Sequence, residues 1–423
     1  MNRRSFLAGG LATVGAATLP ADLTAGHLRG VTAYTQVYGD GQKLSHLLLT
    51  YDEELDGRRL STTTFRVANR VVTGAWTAAR PGIDAADRGP AGRHVVLELS
   101  LEDSAALLWV PLPRTGGGPP QAGDTAPSHQ VVPASASVVQ AEAVYTSRGA
   151  RYAPDPTAVT STAARNLIVD DFEQHTYLDE ATGLLLPYNV YLPDGYDGHR
   201  TYPLVLFMHD AGVINAGPLA PLVQGVGATV WARDNASIVV APAYPEIVVG
   251  DDYQPTGYFD ATVNLVGELT RRYGVDPRRR HATGQSMGAM MSLGMNIRHP
   301  DLFASSYIVA GQWPAEQAAP LAGKKLWVCV SQGDTKAYPG MTAIVGEIEP
   351  LGATVTTATW NGAATPAEFR AAVAAMEAAH AGVNFASFTP GTLPGTASGG
   401  NEHTSTWQVA YDIPGIRRWI LTH

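Results

Sequence analysis

The chain has 423 residues, 45% of them hydrophobic and 16% charged, which is enough apolar material for two globular domains and too little bias for global disorder. Its formal net charge of -9 repels phosphate backbones, and basic residues cluster only at the N-terminus and at Arg278-Arg279-Arg280, so nucleic acid is excluded as a partner. One cysteine, Cys329, rules out an intramolecular disulfide framework.

Residues 1–26, which open MNRRSFLAGGLATVGAATLPA, read as an export signal: Arg3-Arg4 followed by Ser5-Phe6-Leu7 resembles the twin-arginine address, and small residues follow where a signal peptidase cuts. The competing reading is a short apolar N-terminal helix of the mature fold. The run from Phe6 to Leu19 is too short to span a bilayer comfortably and no later segment reaches spanning length. The expectation is an exported, soluble protein with no stable membrane insertion.

From 27 to 150 the chain shows short alternating runs, among them VTAYTQVYG, SHLLLTYD, RHVVLELS and SASVVQAEAVYT, punctuated by Gly, Asp and Pro. Such spacing predicts a β-sandwich. Arg114 to Gln130 reads as a flexible loop within it, and 151–166 as a linker. The remainder, 167–423, alternates strands with helices: LLLPYNVYLP, YPLVLFMHD and SIVVAPAYP, then a helix over YFDATVNLVGELTRRYGV, then RRHATGQS feeding MGAMMSLGMNIRHP, and further strands at ASSYIVAGQW, KKLWVCVSQGD and VNFASF. This pattern predicts an α/β domain with a doubly wound, mostly parallel sheet, whose chemistry collects at the carboxyl ends of its strands.

Gly284-Gln285-Ser286-Met287-Gly288 closes one of those strands and opens a helix, the setting of a nucleophile elbow; the competing reading is an ordinary turn serine. A serine needs a base to take its proton and a carboxylate to orient that base. Asp334 ends the apolar strand LWVCVSQGD, with Glu347 and Glu349 as rivals inside a helix. Beyond it lie His380 at the end of an Ala-rich helix, His423 at the terminus, and His403, which reads as a loop histidine in a Gly-rich stretch before a closing helix. Backbone amides of Met287 and of Ala211 or Asp210, in the run His209-Asp210-Ala211-Gly212, are the candidate oxyanion donors, with His209 holding the loop. Gln285, Gln312 and Trp313 are candidates for the substrate pocket, Trp313 equally for packing beneath a loop.

With these motifs the region from 167 onward resembles an α/β-hydrolase of the esterase and prolyl-oligopeptidase-like group, and LTYDEELDGRRLSTTTFRV belongs to a segment that resembles the immunoglobulin-like domain preceding the catalytic domain in one bacterial esterase family. The resemblance implies a serine carboxylesterase with Ser286, Asp334 and His403 as its triad, acting through an acyl-enzyme on a small-molecule or polymeric ester. No metal or cofactor is expected, since the histidines lack metal-ligand spacing and no phosphate loop is present. A serine peptidase and a non-catalytic binding protein are the alternatives; about 115 β-rich residues are too few for the propeller of prolyl oligopeptidases. Two departures stand out: Asp210 occupies a position where the family loop has glycine, and Ala353 to His380 forms an extra strand-helix excursion expected to shape the pocket.

Overall fold

The structure, a computed structural model, describes residues 26–113 and 121–423; the segment expected to be an export signal, apart from its last residue, and the first part of the loop expected from Arg114 lie outside the described residues. The N-terminal part is all β: β1 Leu28–Tyr38, β2 Gly41–Asp56, β3 Phe65–Val67, β4 Val72–Ala78, β5 Arg88–Gly89, β6 Ala91–Leu99, β7 Trp109–Pro111, β8 His129–Val131, β9 Ser137–Gln140, β10 Val144–Tyr145, β11 Arg151–Tyr152, β12 Asp155–Thr160 and β13 Ala163–Asn166. A six-stranded sheet in the order β13-β1-β2-β6-β4-β5 faces a three-stranded sheet, β12-β9-β3. Period-two alternation buries one face of each. Leu47, Leu49, Val95 and Leu97 from the larger sheet share a core with Phe65, Val67 and Val138 from the smaller.

The segment 151–166 is therefore not a linker. β12 pairs antiparallel with β9 and β13 pairs parallel with β1, each at the edge of its sheet. Edge strands tolerate polar residues and proline, and DPTAVT and AARN offer Val159 as their one aliphatic side chain larger than alanine, which hides the strand signal. The loop before Gln130 also differs from expectation. From Gln121 it is tied down, and it ends in β8, which pairs antiparallel with β7.

The second part is built on β14 Glu173–Asp179, β15 Leu184–Tyr191, β16 Tyr202–Met208, β17 Ile238–Pro242, β18 Val275–Gln285, β19 Ser305–Val309, β20 Lys325–Ser331, β21 Val355–Trp360 and β22 Val383–Phe388. They form one sheet in the order β14-β15-β17-β16-β18-β19-β20-β22-β21, parallel throughout from β17 onward. Its helices are α1 Ala220–Val223, α2 Thr229–Arg233, α3 Gly257–Arg272, α4 Met287–Arg298, α5 Ala337–Ile348, α6 Pro366–Glu377, α7 Glu402–Ala410 and α8 Ile416–Thr422. Central strands are buried on both sides, so their sequences are continuous apolar runs. Leu204, Leu206 and Met208 of β16 face the α3–α4 side with Leu265 and Met291, while Val205 and Phe207 face the α7–α8 side with Ala410, Trp419 and Ile420. Among the described residues no helix is long and apolar enough to cross a membrane.

The excursion 353–380 supplies β21 and α6, an edge strand and its covering helix, started by a capping box between Thr365 and Glu368 with Pro366 in the first turn. Neither element reaches the central cleft, so the expectation that it shapes the pocket is not met. The sandwich and the α/β part share buried surface: Val37 and Trp109 belong to the same apolar cluster as Val223, Val226 and Trp231.

Candidate active site

β18 ends at Gln285, and the chain turns sharply into α4 through Ser286, held at φ 52°, ψ -117°. A non-glycine residue in that region is strained, and its neighbours explain why it persists. A Cβ on Gly284 would lie 2.4 Å from the Gly288 carbonyl carbon, and one on Gly288 would lie 1.9 Å from the Met208 oxygen. Only glycines let β16, β18 and α4 approach closely enough to force the turn. The Ser286 amide is fixed by donating to the Val309 carbonyl at 3.0 Å, and the hydroxyl faces the cleft.

Asp334 lies in the turn after β20. Its Oδ1 accepts from the Lys336 and Ala337 amides at 3.1 and 3.0 Å, and its Oδ2 lies 2.5 Å from His403 Nδ1. Burial alone would raise the Asp334 carboxyl, but the hydrogen bond and charge of His403 and the two amides outweigh it and hold the group below the usual carboxylate range. An ionised Asp334 requires Nδ1 to carry a proton, which leaves the Nε2 lone pair for the Ser286 hydroxyl, 2.8 Å away. His403 is not a loop residue: it is the second residue of α7, whose N-cap Asn401 accepts from the His403 and Thr404 amides. Glu402, which the motif search passed over, pins this helix start. Its Oε2 accepts from Ser331 Oγ at 2.6 Å and its Oε1 from the Gly391 amide at 2.7 Å. The signal was present as an acidic residue directly after an N-cap asparagine.

Met287 opens α4 and Ala211 opens the short 3-10 helix Ala211–Val213, so neither amide has an intrahelical acceptor, and both residues line the cleft. The Ala211 amide is aimed by its own peptide plane. His209 is fully buried and accepts from the Tyr244 amide at Nε2, so its Nδ1 donates to the Asp210 carbonyl, 2.8 Å away. In a trans peptide the N–H points opposite to the C=O, which turns the Ala211 N–H away from His209. Burial lowers the His209 pKa and keeps the ring neutral, so its role is structural. Asp210 itself does not line the cleft. Its Oδ1 caps the Gly212 amide at 2.8 Å and its Oδ2 accepts from Gln285 Nε2 at 3.0 Å. The carboxylate that departs from the family's glycine thus ties the 209–212 loop to the elbow.

Residues 30–153 match the family model of the esterase Ig-like N-terminal domain, and residues 180–381 match the family model described as "Putative esterase". The chain belongs to the esterases with an immunoglobulin-like N-terminal domain. Over 93% of its length this esterase is similar in fold to 99% of the chain in the crystal structure of a thermostable esterase, with a TM-score of 0.77 at 22% sequence identity. A curated relative, "Putative esterase NocK" of Nocardia uniformis subsp. tsuyamanensis, is 42% identical over 64 residues. That match covers 15% of this chain and 19% of the relative, so the chain spans about a fifth of the relative's length. The fold is that of an α/β-hydrolase preceded by an immunoglobulin-like sandwich.

The esterase cleft has a volume of about 500 Å³. Ile247, Val249 and Met290 give it an apolar wall, while Gln312 and an ion pair between Lys336 and Asp251 supply polarity. The sequence reading missed Ile247 and Val249 because they follow β17 in what reads as a loop. Two pocket candidates are elsewhere. Gln285 is buried behind the elbow, where Nε2 also donates to Gln224 Oε1 at 3.1 Å. Trp313 is buried against Gly294 of α4 and donates from Nε1 to Gln317 Oε1 at 3.0 Å. Gln285 is the last residue of β18 and Trp313 lies four residues beyond the end of β19, so adjacency to Ser286 or Gln312 did not carry either residue into the cleft.

Proposed function

We propose that the esterase hydrolyses carboxylic esters through an acyl-enzyme on Ser286, after export by the twin-arginine route. The observation that carries the reading is the unbroken hydrogen-bond chain from Asp334 through His403 to Ser286, opening into a cleft lined also by Met287 and Ala211. In this reading His403 Nε2 takes the hydroxyl proton as Oγ attacks the ester carbonyl. The resulting oxyanion receives hydrogen bonds from the Met287 and Ala211 amides. Collapse of the tetrahedral intermediate passes the proton from His403 to the departing alkoxide, and water repeats the sequence to release the acid. Asp334 holds the imidazole tautomer and its transient charge. The apolar wall of Ile247, Val249 and Met290 suits the acyl or alcohol part of a small-molecule ester, or the end of a polymeric one. Export rests on Arg3-Arg4-Ser5-Phe6-Leu7 alone.

A fluorophosphonate probe tests the chemistry: stoichiometric labelling at Ser286, absent in Ser286→Ala, is the expected result. A panel of p-nitrophenyl esters and peptide anilides then separates esterase from peptidase. An unlabelled, folded protein would overturn the acyl-enzyme reading, and anilide turnover above ester turnover would overturn the substrate class.

A further inference from the structure

The loop that carries the Ala211 amide is fixed one peptide plane at a time. The Asp210–Ala211 plane is held at its carbonyl by His209 Nδ1, and the Ala211–Gly212 plane at its N–H by the Asp210 carboxylate. The next plane, Gly212–Val213, is held at its carbonyl by Ser128 Oγ at 2.8 Å. Ser128 comes from the other domain. It sits just before β8 on the arm 121–131, and Oγ also lies 2.8 Å from His129 Nδ1. Because the single hydroxyl proton goes to the Gly212 carbonyl, His129 Nδ1 donates to Oγ. The His129 ring in turn stacks on Trp109 of β7, with centroids 4.9 Å apart and planes 8° from parallel.

The arm makes further bonds, two of them to Ile247 of the cleft wall. The Gly123 amide donates to the Ile247 carbonyl and the Ile247 amide to the Asp124 carbonyl, both at 2.8 Å, and Asn215 Nδ2 donates to the Thr125 carbonyl at 3.1 Å. A side chain at Gly212 would displace the two groups that hold this loop, since a Cβ there would lie 2.8 Å from Asp210 Oδ1 and 3.3 Å from Ser128 Oγ. Together with the Ser128 bond, these hydrogen bonds tie the arm to the α/β part.

We propose that the arm of the immunoglobulin-like domain is a working part of the catalytic site, with Ser128 as a positioning residue that sets the oxyanion loop through the Gly212 carbonyl. This rests on the reading of Ser286 as the nucleophile. Ser128 touches no reacting atom. Its effect is on the aim of the Ala211 N–H, which matters where negative charge develops and little where substrate is merely bound.

The test is Ser128→Ala in the full-length protein, with Ser128→Thr as the variant that keeps the hydroxyl. Outright loss of an oxyanion donor costs ~100- to 1000-fold in kcat, so a misaimed one is expected to cost roughly three- to tenfold, with KM within about twofold. Affinity for a trifluoromethyl ketone, which forms a tetrahedral oxyanion on the serine, should weaken by the same factor. Affinity for the planar carboxylate product should not change, and Ser128→Thr should recover most of the loss. A structural brace alone would lower Tm without moving the ketone against the carboxylate. The proposal is overturned if kcat and ketone affinity stay within twofold of wild type, or if only KM rises. If Ser128→Ala does not fold, Ser128→Cys, similar in volume and a weaker donor, is read by the same two outcomes. Fluorophosphonate labelling of the wild type separates the failures: labelling with an unaffected variant sinks only the arm's role, whereas no labelling sinks the nucleophile and the arm's role with it.

Discussion

Replacing Asp334 by asparagine keeps the shape of the site and inverts its proton logic. Oδ1 faces the amides of Lys336 and Ala337, and both demand an acceptor. Turning the new amide so that its NH2 met them would leave two buried donors unpaired, at about 1–3 kcal/mol each. The asparagine therefore keeps oxygen toward the backbone and presents its NH2 to His403 Nδ1. The imidazole answers by moving its own proton to Nε2, where it faces Ser286 Oγ as a donor and no longer accepts. The base is lost while every hydrogen bond is kept. The same exchange in Ser-His-Asp enzymes costs ~10,000-fold in kcat, about 5.4 kcal/mol at 1.36 kcal/mol per decade. Turnover of a p-nitrophenyl ester by purified Asp334→Asn, after circular dichroism confirms folding, is the measurement. A folded variant retaining more than about a tenth of wild-type kcat would refute both the tautomer argument and the role of Asp334, because the expected loss is far larger.

His403→Ala should lose at least ~1000-fold in kcat, as Ser286→Ala should, while His380→Ala loses less than tenfold; His380 lies beyond α6 at φ 50° and does not line the cleft. The reverse order in a steady-state assay would mean that the wrong base has been identified. Asp210→Ala strands the Gly212 amide and leaves Gln285 Nε2 with Gln224 Oε1 alone, and should lower stability by about 1–3 kcal/mol in urea unfolding. Asp210→Asn should restore most of it if the Gln285 and Gln224 amides both turn, so that Gln285 Oε1 accepts from the new NH2 and from Gln224 Nε2, which has no partner among the described residues; equal stability of wild type and Asp210→Ala would dismiss the brace. Asp334 also makes stability depend on acid. Its folded pKa is depressed, so its contribution is complete above the ordinary carboxylate value of about 4 and is lost as pH falls through the folded value. Melting wild type and Asp334→Asn across that window should show their gap narrowing toward low pH, and a constant gap would contradict the assignment.

What the sequence disclosed follows burial. β16, β17, β19 and β20 are legible because strands covered on both faces are unbroken apolar runs, and Ser286 because only glycine fits at 284 and 288. β12 and β13 were hidden because edge strands need little apolar material. The residue His403 was identifiable but its element was not: EHTSTWQVA has weak helical spacing, and the helix is set by the Asn401 cap and by the two bonds of Glu402. The directions of Gln285 and Trp313 depend on which face of a strand tip each takes, and no periodicity extends past the tip to fix that.

The parallel pairing of β13 with β1 has a bearing on biosynthesis. Thr35 and Asn166, joined by a 2.9 Å side-chain hydrogen bond, are 131 positions apart, so the first sheet stays open on the ribosome until Asn166 has emerged. The arm waits longer, because its acceptors at Gly212 and Ile247 are synthesised after it. A cassette cut at residue 150 would remove the last strands of both sheets. A graft or fusion that treats the two halves as exchangeable should join them after Asn166 and carry the partner loop around Gly212 along with the arm that meets it.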